Sequence, residues 1–165
     1  VEAIFVAAVF FFYKKELSFK LEFSKKIVAE SLAFAILGYI VFEITEYNGI
    51  IVPFDLAQWE IIILLLFVGP LLEEFLFRFS LWWPAERAIG GQGTVILTTL
   101  FFSFGHFYAY FLIPKDFHTF VFFQSFYTFA VGFWWGFRYY QTHSLSYPIL
   151  LHFCFNLGFF LGFHI

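Results

Sequence analysis

The chain has 165 residues, 62% of them apolar and 13% charged, with a net charge of −3 and a single cysteine, Cys154. Those proportions lie far from an ordinary soluble domain and leave no room for a second, water-soluble one. The small net charge, with no basic patch interleaved with aromatics, excludes a nucleic-acid partner, and one cysteine excludes an internal disulfide. The expectation is a single all-α domain over residues 1–165, a polytopic transmembrane helical bundle of about six spans.

A helix crosses the hydrocarbon with roughly 20 apolar residues at about 1.5 Å of rise per residue. The first stretch, "VEAIFVAAVFFFY", is short and reads as the tail of a truncated span. It has no basic region before it and no small-residue cleavage site after it, which argues against a signal peptide. The chain has no Met, an initiator included, so its beginning is expected to lie inside a longer reading frame or to be trimmed. Its 31 Phe are read as lipid-facing bulk. In "KKELSFKLEFSKK" the apolar Leu17, Phe19, Leu21 and Phe23 alternate with charge, which predicts a segment lying on the headgroups. The second span is predicted over residues 27–42 and the third over 59–83, with Pro70 inside it. The fourth is predicted over 95–113, the fifth over 117–140 and the sixth from 145 to the end. "PAERAIGGQGT" joins the third and fourth as a loop, with Gly and Pro as breakers.

Lys14, Lys15, Lys20, Lys25, Lys26, Arg87 and Arg138 fall on one side of this arrangement, and only Lys115 on the other. The positive-inside rule makes the basic side cytoplasmic. The expectation is a multi-pass plasma-membrane protein in contact with the lipid bilayer.

Ionisable groups inside spans are costly and are functional candidates by default. The third span carries Glu73, Glu74 and Arg78, the fourth His106, and the sixth His152 and Asn156. Glu74 and Arg78 are four apart and share a face, so they are read as a supporting pair. Glu73 points about 100° away and needs another partner, for which His106 or His152 is the obvious supply. His152 and Asn156 are also four apart; alone, such a pair is more often interhelical glue than chemistry. Depth changes those odds. Glu73, His106 and Asn156 stand ten or eleven residues from the cytoplasmic ends of their spans. At helical rise they lie roughly 15–17 Å deep, with His152 at roughly 10 Å. Cys154, between His152 and Asn156, points elsewhere and is read as a small buried hydrophobe. His118, His143 and His164 fall in loops or at the end, and nothing marks Ser103 as a nucleophile.

A carboxylate beside an imidazole is a workable general base for water. Neutral imidazole and a carboxamide N–H can supply donors to an oxyanion. These are the parts for amide hydrolysis by activated water, without a cofactor. The alternative is a zinc-dependent version: Glu73, His106 and His152 would suffice as ligands for catalytic zinc. A rival from another class is a non-proteolytic transporter or immunity protein using buried Glu and His for proton relay. Proton relay has no use for the His152–Asn156 donor pair.

Three stretches, "EEFLFR" from Glu73 to Arg78, "FSFGH" from Phe102 to His106 and "HFCFN" from His152 to Asn156, carry a resemblance. In this order the chain resembles the CAAX prenyl protease and bacteriocin-processing family of intramembrane endopeptidases, also called CPBP or Abi. The similarity covers about residues 61–158. It implies a glutamate-type intramembrane protease in which Glu73 and His106 activate water, His152 and Asn156 form an oxyanion hole, and Glu74 and Arg78 support them. The implied partner is a membrane-anchored protein or peptide substrate: a prenylated CAAX protein, a bacteriocin, or a sorted, membrane-anchored C-terminus. Phe79 and His143 stand where the family usually or often has Gly.

Overall fold

The computed structural model describes residues 10–164, with side chains up to Phe163. The first predicted span therefore lies almost wholly outside the described residues, of which 10–13 are helical. Six α-helices follow. They are α1 (Lys25–Tyr47), α2 (Trp59–Ile63), α3 (Gly69–Phe75), α4 (Trp82–Tyr108), α5 (His118–Thr142) and α6 (Ser146–His164), with no strand among the described residues. Two π-helical turns, Leu64–Val68 and Leu76–Ser80, join α2 to α3 and α3 to α4. The result is the all-helical bundle expected. Three stretches, Lys25–Tyr47, Trp82–Phe111 and Ser146–Phe163, are long and apolar enough to cross a bilayer.

Local chemistry accounts for the helix ends. Ser24 caps α1, its hydroxyl accepting the Ile27 N–H at 3.3 Å. His143 closes α5 in the left-handed region (φ 46°) and its N–H reaches the Tyr139 carbonyl at 2.7 Å. That is the helix-end position glycine fills most easily. Here the His143 ring stacks on Trp83, with centroids 5.6 Å apart.

The loop predicted over 84–94 is the main departure. α4 already begins at Trp82 and is broken only at Gly90 (φ 74°, ψ 165°). Pro84 stands in the first turn of α4, where a backbone N–H has no intrahelical acceptor, so it does not stop the helix. The break falls where only glycine tolerates the dihedrals.

The charged segment before α1 also differs in detail. It is tied to the α5–α6 turn: Ser144 Oγ donates to the Lys20 carbonyl at 2.6 Å, Leu145 N–H to the Ser18 carbonyl at 2.9 Å, and Ser146 Oγ to the Phe19 carbonyl at 2.7 Å. Leu17 and Leu21 pack inward on the two apolar cores, while Phe19 and Phe23 stay exposed. Its apolar residues therefore face two ways, and only half of them are free to meet a bilayer surface.

α1 and α6 form the most extensive contact between helices. Gly38 and Gly158 make it possible. A Cβ at Gly38 would collide with the Phe155 carbonyl, and one at Gly158 with the Ala35 carbonyl. With Gly162, α6 carries a Gly-x-x-x-Gly stripe of the kind that lets membrane helices touch backbone to backbone. Phe42 and Phe159 close the seam edge to face, 5.2 Å apart. This contact holds the other face of α6 against α3 and the first π turn.

Candidate active site

Glu73 and Glu74 are neighbours in α3 and diverge, as about 100° per residue requires. The Glu74 side chain is fully buried, whereas that of Glu73 is 35% exposed. Glu74 has two partners: Arg78 Nε at 3.2 Å from Oε2, and His152 Nδ1 at 2.9 Å from Oε1. The i,i+4 pair expected from spacing is present, although Arg78 falls in the second π turn. The contact of Glu74 with His152 was not expected. Arg78 also donates from Nη2 to the Gly132 carbonyl of α5 at 2.9 Å, and its guanidinium lies 4.8 Å over the Phe102 ring. One buried ion pair thus joins α3, α5 and α6.

Glu73 points into a cavity of about 300 Å³ that His106, His152 and Asn156 also line. Its Oε2 lies 4.0 Å from His106 Nε2 and 3.8 Å from His152 Nε2. These separations are too long for direct hydrogen bonds. A single water making contacts of about 2.8 Å spans each of them.

The other ring nitrogens fix the tautomers. His106 Nδ1 lies 2.9 Å from the Phe102 carbonyl one turn back. A carbonyl only accepts, so Nδ1 carries the hydrogen and the Nε2 lone pair of the neutral ring is left for the cavity. His152 Nδ1 donates to Glu74 in the same way, leaving Nε2 toward Glu73. With this tautomer the neutral His152 ring presents a lone pair rather than an N–H at Nε2. Trp135 stacks on His152 at 4.2 Å with an interplanar angle of 21°, and Phe102 meets both imidazoles edge to face.

Asn156 donates through Nδ2 to the Leu65 carbonyl at 2.7 Å. Because that carbonyl only accepts, the amide orientation is set: the nitrogen faces Leu65 and has one further hydrogen. The rest of the cavity wall is mainly apolar, with Ile61, Leu64, Val131 and Phe159, and α5 adds Gln124, Tyr127 and Thr128.

Trp135, Tyr127 and the Leu65 carbonyl were not legible as site groups. Trp135 and Tyr127 look like any aromatic of an aromatic-rich span. The carbonyl had one signal, Pro70 in the middle of a span. Other residues weighed from the sequence stand apart. Ser103 Oγ donates to the Ser125 carbonyl at 2.7 Å, and His118 lies against Tyr110. Cys154 is half-buried and does not line the cavity. The side chain of His164 lies outside the described residues. Phe79, the departure next to Arg78, is fully buried and packs on Phe75 at 5.0 Å.

No curated protein and no solved structure matches the chain. Residues 55–158, which span all of the residues named at the cavity except Phe159, match one protein family, described as type II CAAX prenyl endopeptidase Rce1-like. That match covers more than half of the chain, and it agrees with the order of the three stretches that supply Glu73, His106 and His152 to one cavity: the chain belongs to the Rce1-like family of CAAX prenyl endopeptidases.

Proposed function

We propose that this protein is an intramembrane endopeptidase that cleaves a membrane-anchored substrate with water held by Glu73 and His106. The observation that carries the reading is the convergence of Glu73 Oε2 with His106 Nε2 and His152 Nε2 at 4.0 and 3.8 Å, in a cavity that Asn156 also lines. Each of the first two presents an acceptor, so a water between them is polarised from two sides. The oxygen attacks the scissile carbonyl and its proton passes to Glu73. The oxyanion receives the free N–H of Asn156. His152 Nε2 can add a second donor only when it carries a hydrogen. Collapse expels the amine, which takes the proton from Glu73. Donors aimed at such an oxyanion are each worth about 10²–10³ in rate. The apolar wall suits an extended apolar segment, and the family makes a prenylated CAAX peptide the first substrate to try.

The zinc reading draws on the same three side chains. Tetrahedral zinc at about 2.0–2.1 Å from each ligand needs ligand separations of roughly 3.4 Å. The Glu73 separations from His106 and His152 here are 4.0 and 3.8 Å, wider than that spacing.

The test is cleavage of a quenched, farnesylated CAAX peptide by purified protein. Activity that survives exhaustive chelation and is lost in both Glu73→Gln and His106→Ala supports the reading. Chelation that abolishes cleavage, with zinc restoring it, overturns the metal-free mechanism; an inactive wild type across prenylated and unprenylated peptides overturns the protease. We further propose that the end holding Lys20 and Arg87 is cytoplasmic. Cysteine labelling of intact cells should mark Asp55→Cys and spare Lys20→Cys; the reverse pattern overturns the orientation.

A further inference from the structure

The Leu65 carbonyl that Asn156 holds belongs to a helix, and a helical carbonyl ordinarily has a backbone partner. Its freedom has a local cause. In the first π turn the Gly69 N–H bonds the Leu64 carbonyl, five residues back. That displaces Gly69 from its α-helical acceptor, the Leu65 carbonyl. The next donor in the i→i+5 pattern would come from residue 70, and residue 70 is proline, which has no N–H. Leu65 is thus bypassed twice, once by the π turn and once by the proline ring. A buried carbonyl with no donor is costly, and the Asn156 amide fills the gap at 2.7 Å.

We propose that Pro70 is a positioning residue for Asn156: by leaving the Leu65 carbonyl without a backbone donor, it fixes which end of the Asn156 amide faces the cavity. The carbonyl accepts one hydrogen of Nδ2 and repels Oδ1, so the amide cannot flip without losing the bond. The second Nδ2 hydrogen is then presented as a donor, and Oδ1 is kept to the other side. Alanine at residue 70 restores the N–H. The Leu65 carbonyl then has a backbone donor, and the Asn156 amide is free to turn its oxygen toward a developing negative charge. This inference rests on the proposed role of Asn156 as an oxyanion donor and names what sets that donor.

The experiment is a double-mutant cycle read on the farnesylated CAAX peptide, with a backbone-ester variant as control. Asn156→Ala is expected to lower kcat by about 10²–10³. Pro70→Ala is expected to lower kcat by roughly 10–100-fold with little change in KM. Asn156→Ala made in the Pro70→Ala background should cost much less than it does alone, because the donor is already misplaced. Lactic acid at residue 70, introduced by nonsense suppression, has neither the proline ring nor an N–H. It should keep near-wild-type kcat, which a role for the ring in packing or in kinking the helix would not allow. Full activity in Asn156→Ala overturns the oxyanion reading itself. Loss in Asn156→Ala together with unimpaired or additive Pro70→Ala, or an inactive lactic-acid variant, overturns the inference and leaves that reading standing. If Pro70→Ala fails to accumulate, the lactic-acid variant alone decides.

Discussion

α6 turns Gly158 and Gly162 toward α1 and His152 and Asn156 toward α3 and the first π turn, and the two contacts obey different rules. On the α1 side the seam is mainly apolar, built on Gly38, Gly158 and Gly162 with Phe42 and Phe159, although Cys154 also reaches Ser31. The backbones approach because side chains are missing, and the energy comes from dispersion between closely fitted surfaces. On the α3 side Phe153 packs on Phe67, but the contacts that orient the site are directed polar bonds, and each such group is costly unless its partner is in place. The glycine seam tolerates no added atom, whereas the polar side tolerates no lost one. The seam sets where α6 stands, and the bonds set which way its imidazole and amide point.

The largest expected effect tests whether Glu73 belongs to chemistry rather than to the fold. It makes no direct hydrogen bond to either histidine and is 35% exposed to the cavity. Glu73→Gln should lower kcat by about 10²–10⁴, with abundance and Tm near wild type. A Tm loss matching that of the Glu74 variant would erase the distinction.

Glu74→Gln should act on both fold and site. It leaves Arg78, wholly buried, without a counter-charge, and removes the carboxylate from His152 Nδ1. Breaking a buried pair costs about 3–5 kcal/mol, so thermal unfolding in detergent should show a large fall in Tm. The surviving fraction should also cleave more slowly per folded molecule. Unchanged specific activity would show that Glu74 is only a tie between helices.

The seam breaks in the opposite way. Gly158→Ala puts a Cβ into the Ala35 carbonyl, and overpacking of this kind costs about 1–3 kcal/mol. Tm should fall, while the folded fraction keeps its kcat if the polar side orients the site independently. A kcat loss larger than the folded fraction explains would mean that the two sides of α6 are coupled.

Trp135→Phe is the mildest probe. It keeps a ring beside His152 but loses part of the stack at 4.2 Å. Such aromatic contacts are worth about 0.5–1.5 kcal/mol, so Tm should drop slightly and cleavage by less than tenfold. A total loss of activity would give the indole a part in the reaction that stacking does not explain.

The sequence by itself determined the class and the parts. Apolar runs of membrane length can satisfy their backbone only as helices, so composition and periodicity sufficed for an all-helical membrane bundle. Polar and ionisable groups are rare enough in such runs that Glu73, Glu74, Arg78, His106, His152 and Asn156 stood out without a structure, and the i,i+4 spacing of Glu74 and Arg78 was enough to pair them. Contacts between helices were a different matter. Which nitrogen of His152 meets Glu74, that Trp135 covers its ring, and that Leu17 and Leu21 turn inward while Phe19 and Phe23 do not, depend on how helices rotate against one another, and spacing along one helix carries no such information. The π turns are the clearest case. Their single extra residue per turn shifts the hydrogen-bond ladder, and only that shift, together with Pro70, leaves the Leu65 carbonyl for Asn156 to hold. Local preference permits a regular helix there; the packing of α6 against α3 and the π turn itself selects the irregular one.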